Sequence, residues 1–169
     1  MQYRHEVKHE ISNLDMLILQ QRLRAVMAPD SHAIDGQYEI RSLYFDNRDD
    51  KALREKLDGV SRREKYRIRM YNNDPSVIRL ERKFKCSGLG YKESSLLTQA
   101  QACQIAGGDI HWMAGSTDEV ILRFYTCLRN EGLAAKVIVD YTREPFVFVP
   151  GNVRVTLDYN IRTALGCTD

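Results

Sequence analysis

The chain has 169 residues, of which 43% are hydrophobic and 28% charged, and a formal net charge of +2. This length suits one domain with a sizeable core, and nothing in the composition argues for disorder. Charges at Arg4 and Glu6 leave no apolar core for a signal peptide, no apolar run reaches membrane-spanning length, and the expected location is cytoplasmic.

Residues 2 to 11 alternate as a strand, with Arg4, Glu6, Lys8 and Glu10 on one face and Tyr3, His5, Val7 and His9 on the other. Ser12 and Asp15 resemble a capping box for a first helix. Leu14, Leu17, Ile18 and Leu23 give that helix its spacing, and Pro29 ends it. Ile40 to Phe45 reads as a strand ending at Asp46-Asn47, and residues 48 to 57 as a short helix closed by Gly59. Two strands rich in cations follow, then a turn over Cys86-Ser87-Gly88-Leu89-Gly90. Thr98 with Gln101 starts a helix that Gly107-Gly108 ends, and Ser116 with Glu119 caps another running to about Asn130. Val120, Ile121, Phe124 and Leu128 form its expected buried stripe. Ala135–Thr142, Glu144–Val149 and Asn152–Leu157 read as strands, with a hairpin turn at Pro150-Gly151-Asn152. Strands outnumber helices, which predicts an α+β fold around a mostly antiparallel sheet or barrel with short peripheral helices.

The two cationic strands are the most informative segment. In Lys65-Tyr66-Arg67-Ile68-Arg69-Met70-Tyr71 the cations Lys65, Arg67 and Arg69 share one face. Arg79, Glu81, Lys83 and Lys85 share a face of the next strand. Residues 62 to 93 hold ten cations against four acids, far more one-sided than the whole chain. Like charges side by side repel, so such rows persist only if water solvates them or a multiply charged anion lies between them. If the sheet closes into a barrel, one face of each strand points inward and the interior is charged. A charged interior must be wet and must expect an anion. Among its acids, Glu6, Glu81 and Asp158 could pair with arginines or hold a divalent ion, for which hard oxygens favour Mg²⁺ or Mn²⁺.

The remaining chemistry-bearing residues read plainly. Cys86, Cys103, Cys127 and Cys167 lack metal-ligand spacing and read as free thiols. His5, His9, His32 and His111 are too dispersed for a metal site, and Trp112 reads as a packing residue. Gly88-Leu89-Gly90 is a turn, too short for a phosphate loop.

Five segments together resemble the VTC domain, the polyphosphate polymerase domain of the CYTH-like triphosphate tunnel superfamily. They are Tyr3-Arg4-His5-Glu6-Val7-Lys8, Arg41-Ser42-Leu43-Tyr44-Phe45-Asp46-Asn47, Lys65 to Tyr71, Leu80-Glu81-Arg82-Lys83 and Val153-Arg154-Val155-Thr156-Leu157-Asp158. The resemblance runs from about residue 2 to about residue 163. It implies one antiparallel tunnel domain over residues 1–169, in which ATP or another nucleoside triphosphate donates its terminal phosphate to polyphosphate with Mn²⁺ or Mg²⁺. Carried over to this chain, Arg67, Arg69 and Lys83 would be the catalytic cations. Lys8, Lys56, Lys92, Tyr141, Arg143 and Arg154 would bind substrate, and Glu6 and Glu81 would be the metal-binding acids. Arg4 stands where the superfamily often has the first glutamate of ExExK, which favours a polymerase over a triphosphatase. The family also continues with an LExK strand and a terminal helix that these residues lack. The domain is therefore expected to be C-terminally incomplete, or completed by a partner chain.

Two other readings compete with a polymerase. One is a non-catalytic module gripping polyphosphate or triphosphate. The other is an RNA-binding sheet using Tyr66, Tyr71 and Phe84, which is disfavoured because the strongest aromatics oppose the cations. No nucleic acid partner and no direct membrane insertion are expected.

Overall fold

A computed structural model describes residues 5–165 of the chain. The first helix, α1 (Asn13–Val26), begins with the expected capping box, in which the Ser12 hydroxyl accepts from the Asp15 N–H and the Asp15 carboxylate accepts from Ser12. A two-residue strand, β1 (Ala28–Pro29), leads to β2 (Tyr38–Asp46) and helix α2 (Lys51–Leu57). Asp46 is buried at that junction because its carboxylate accepts the N–H groups of Asn47, Ala52 and Leu53, which holds the start of α2.

Strands β3 (Arg63–Tyr71) and β4 (Asp74–Cys86) form a hairpin. Its two turn residues, Asn72 and Asn73, both have φ of 52°, the left-handed pair a type I′ turn needs and asparagine tolerates. Ser87 and Gly88 turn β4 into β5 (Leu89–Leu97). Helix α3 (Gln99–Ala106) starts at the Thr98–Gln101 capping box, and α4 (Glu119–Asn130) follows a short 3₁₀ turn at His111–Gly115. The cap of α4 is Asp118 rather than Ser116: its carboxylate accepts from Val120 and Ile121, while the Ser116 hydroxyl accepts from the Asp118 N–H. The buried stripe of α4 is Ile121, Phe124 and Cys127, with Val120 and Leu128 at its margin.

The two strands expected at Ala135–Thr142 and Glu144–Val149 are one, β6 (Ala134–Phe148). Arg143 does not interrupt it, because this residue pairs with Tyr38 on one side and Asp158 on the other. After the turn at Val149–Gly151, with Asn152 left-handed, β7 (Val153–Leu165) runs back along β6. Pairing is antiparallel throughout, in the order β7-β6-β2-β3-β4-β5, with β1 beside the end of β6. The sheet is a half-barrel and does not close, since among the described residues β5 pairs only with β4 and β7 only with β6.

The core lies between the outer face of the sheet and α3, α4 and the 3₁₀ turn. Phe45, Tyr66, Ile68, Ile78, Leu80 and Leu97 meet Ile105, Met113 and Phe124 there, and Phe124 stacks on Tyr66 with ring centroids 4.8 Å apart. Trp112 packs at the edge of this cluster, as expected of a packing residue.

The predicted first strand is not formed among the described residues: residues 5–11 pair with no strand, and Val7 is 77% exposed, so the apolar side of the alternation has no core to face. Tyr3 and Arg4 lie outside the described residues. No helix of the described residues is long and apolar enough to cross a membrane.

Candidate functional site

The register of the sheet gathers the cations on one face. Lys65 lies opposite Lys83, Arg67 opposite Glu81 and Arg69 opposite Arg79. Strand β5 sets Lys92 beside Lys83, and β2 sets Tyr44 beside Arg67 and Ser42 beside Arg69. Alternation places these side chains on the face turned away from the helices, the inside of the half-barrel. Tyr141 and Arg143 join them from β6, and Asp158 lies opposite Arg143 on β7.

Glu81 is the fixed anion in this row. It is 1% exposed, accepts hydrogen bonds from Arg67 Nε and Lys92 Nζ, each at 2.7 Å, and forms an ion pair with Arg67 Nη2 at 2.5 Å. Burial alone would raise its pKa, but Arg67 and Lys92 outweigh that and hold it down to about 2. Arg67 also donates to the Tyr44 hydroxyl at 3.0 Å. Burial would lower the Arg67 pKa, and Tyr44 and Glu81 more than compensate to raise it.

Arg69 is different. It is 4% exposed and donates to two neutral hydroxyls, Ser42 Oγ at 2.9 Å and Tyr141 OH at 2.8 Å. No carboxylate among the described residues forms an ion pair with it. A buried guanidinium without a direct ion pair is costly, and Glu81 acts on it only from a longer distance, which makes this the point of the row most in need of a ligand.

The other cations surround this pair. Lys65 lies over the Tyr44 ring, 5.1 Å from its centroid. Desolvation lowers its pKa, and Arg67, Lys83 and Lys8 lower it further, the signature of crowded like charges. Lys83 pairs with Glu6, Arg143 holds Asp158 through two bonds of 2.7 Å, and Arg154 contacts Asp30 and, at 2.7 Å, the Tyr38 hydroxyl. Tyr141 carries Arg69 and Arg143 over its ring, at 5.8 and 5.3 Å.

A VTC domain family model matches residues 3–166. The chain belongs to the VTC domain family. A crystal structure of a Bacillus halodurans protein described as a "putative adenylate cyclase" superposes with a TM-score of 0.58 at 16% identity, covering 97% of this chain and 79% of that one. That likeness shows the fold, the CYTH-like tunnel architecture. No curated protein matches the chain significantly.

The VTC domain brings most of the expected site residues together, though not all. Arg67, Arg69, Lys83, Lys92, Tyr141 and Arg143 share the inner face, with Arg154 at its β7 margin. Glu6 and Lys8 reach Lys83 and its surroundings from the unpaired N-terminal segment rather than from a strand. Lys56 stays on the exposed side of α2 and makes no hydrogen bond or ion pair with the row among the described residues, because a helix outside the sheet cannot share its alternation. Ser42, Tyr44 and Asp30 are site residues that the sequence reading missed. Ser42 and Tyr44 stand two apart on a strand, the spacing that puts them on one face beside Arg69 and Arg67. Of the three aromatics considered for RNA stacking, Tyr66 is in the core and Phe84 packs on Tyr91, while Tyr71 meets the Tyr38 ring edge-on near Arg143.

The CYTH-like superfamily is typically metal-dependent, but Glu6 and Glu81 do not fit a divalent ion in this arrangement. Both oxygens of Glu81 are engaged by Arg67 and Lys92, and Glu6 is neutralised by Lys83 and Lys8. A cation entering there would meet cations on every side. A different trio, Glu64, Cys127 and Glu131, converges on the outer side of the sheet. Its acids already pair with Arg82 and Lys51, and burial pushes the Cys127 thiol up to about 11. Cys86, Cys103 and Cys127 are free thiols as expected, and Cys167 lies outside the described residues.

Proposed function

We propose that this VTC domain is a polyphosphate polymerase, which transfers the terminal phosphate of ATP or another nucleoside triphosphate to the end of a polyphosphate chain. The observation that carries the reading is Arg69, a buried cation with hydroxyl partners and no ion pair among the described residues, set in a row of further cations. Such a site is stabilised by a ligand carrying several negative charges.

Phosphoryl transfer asks little covalent chemistry of a protein. An oxygen of the polymer's terminal phosphate attacks the γ-phosphorus in line, the bond to the β–γ bridging oxygen breaks, and the nucleoside diphosphate leaves with that oxygen. Arg67, Arg69 and Lys83 would neutralise the charge spreading over the equatorial oxygens, and their fixed positions would spare reorganisation. Lys8, Lys92, Tyr141, Arg143 and Arg154 would hold the neighbouring phosphates of donor and acceptor. No activated serine or cysteine is needed, because the acceptor phosphate is itself the nucleophile.

The test is incubation with ATP and Mn²⁺ or Mg²⁺, following polymer on a gel beside released ADP. Polymer and ADP rising together are expected. ADP and free phosphate without polymer would replace the reading with a triphosphatase, and tight polyphosphate binding without turnover would replace it with a binding module.

A further inference from the structure

The inner face contains two hydroxyls whose spacing matches the paired arginines. Strand β2 offers Ser42 and Tyr44, two residues apart, and β3 offers Arg67 and Arg69, also two apart. Antiparallel register sets Ser42 opposite Arg69 and Tyr44 opposite Arg67. Each hydroxyl accepts a hydrogen bond from its own register partner, at 2.9 and 3.0 Å. The strand supplies one support for each guanidinium.

We propose that Ser42 and Tyr44 are positioning residues: their hydroxyls fix the planes of Arg69 and Arg67 so that the remaining N–H donors point together at a phosphate. The inference rests on the phosphate-binding reading of this face. It goes beyond that reading by making the geometry of the arginine pair depend on a neighbouring strand.

Several observations agree. Ser42 is completely buried, and its hydroxyl finds its side-chain partner in Arg69. Tyr44 carries Lys65 and Arg67 against its ring, at 5.1 and 5.8 Å, and gives Arg67 a hydroxyl as well. A guanidinium plane is useful to a phosphate only in the right orientation, since bidentate recognition is geometric as well as electrostatic. Glu81 holds one edge of the Arg67 fork and Tyr44 another, so two fixed points define the plane. Ser42 and Tyr141 do the same for Arg69.

Ser42→Ala and Tyr44→Phe remove only the hydroxyls; the second keeps the ring beneath Lys65. Calorimetric titration with inorganic tripolyphosphate should show affinity falling about tenfold for each, while each variant still melts cooperatively, at a temperature lowered by the loss of one hydrogen bond to a buried cation. In Arg69→Lys and Arg67→Lys backgrounds, where no planar fork remains, the matching hydroxyl deletion should cost little more. Unchanged affinity in both single variants, or a full further loss in the lysine backgrounds, would overturn the inference.

If the wild-type chain binds no tripolyphosphate, the phosphate reading fails, and the positioning claim is settled separately in the ligand-free protein. Restricted guanidinium rotation should give resolved ¹⁵Nη resonances for Arg67 and Arg69. Ser42→Ala should average those of Arg69, and Tyr44→Phe those of Arg67. Averaged resonances already present in wild type would refute it.

Discussion

Replacing Arg69 with methionine should lower tripolyphosphate affinity by about a hundredfold or more, while the melting temperature stays level or rises. Arg69 is nearly fully buried and its hydrogen-bond partners are neutral hydroxyls, so the folded protein bears the cost of desolvating a cation that Glu81 offsets only from beyond ion-pair distance. Methionine fills a similar volume, removes that cost, and leaves two hydroxyls able to reorient. Arg67→Met should behave oppositely in stability. Its loss would strip Glu81 of a hydrogen bond and an ion pair and leave Lys92 as the remaining cation in contact with a carboxylate that is 1% exposed. Breaking a buried pair in this way costs about 3–5 kcal/mol when nothing compensates, and Lys92 should hold the loss toward the lower end. Thermal melts beside binding isotherms decide the matter. A fall in melting temperature for Arg69→Met as large as that for Arg67→Met would remove the claim that Arg69 is held without a directly paired carboxylate.

This contrast was not legible in the sequence. Alternation over Lys65 to Tyr71 was enough to place Arg67 and Arg69 on one face, and the sign imbalance was enough to expect an anion there. Period-two patterning depends on local backbone geometry, so it reads well. What separates the two arginines is the identity of their cross-strand partners, and that depends on register. The β3–β4 register, which shifts between Arg69 and Tyr71, sets Glu81 opposite Arg67 and Arg79 opposite Arg69, and the β2–β3 register sets Ser42 opposite Arg69. Shifting either pairing by one residue would move every partner to the other face.

Other departures have the same origin. The first strand looked formed because residues 2 to 11 alternate, yet alternation describes a strand only when a neighbour supplies a ladder and one face finds a core. Residues 5–11 have neither, and Glu6 reaches Lys83 without them. The sequence leaves Glu81 open to two roles, pairing with arginines or holding a divalent ion. Distances to its own neighbours were needed to show that Arg67 and Lys92 are its partners. Lys56 is a case of a motif position carried onto a helix that packs outside the sheet.

Glu81→Gln should destabilise the protein by about 3–5 kcal/mol at neutral pH and remove part of its sensitivity to acid. The Glu81 pKa is held at about 2, against an ordinary value of 4.5, by Arg67 and Lys92 acting against burial. A carboxylate with a lowered folded-state pKa adds stability that is fully present above about 4.5 and is lost as pH falls toward 2. The shift corresponds to about 3 kcal/mol across that window. Glu6, Asp30 and Asp118 are also held below their ordinary values and titrate in the same region, so the whole acid limb belongs to several groups. The difference between wild type and Glu81→Gln isolates one of them. It should shrink as pH drops from 5 to 2, followed by denaturant unfolding at each pH. A glutamine also leaves Arg67 and Lys92 crowded without an anion between them, so tripolyphosphate should raise the melting temperature of the variant more than that of wild type. If the variant gains no more than wild type, Glu81 is not the anion that balances this row.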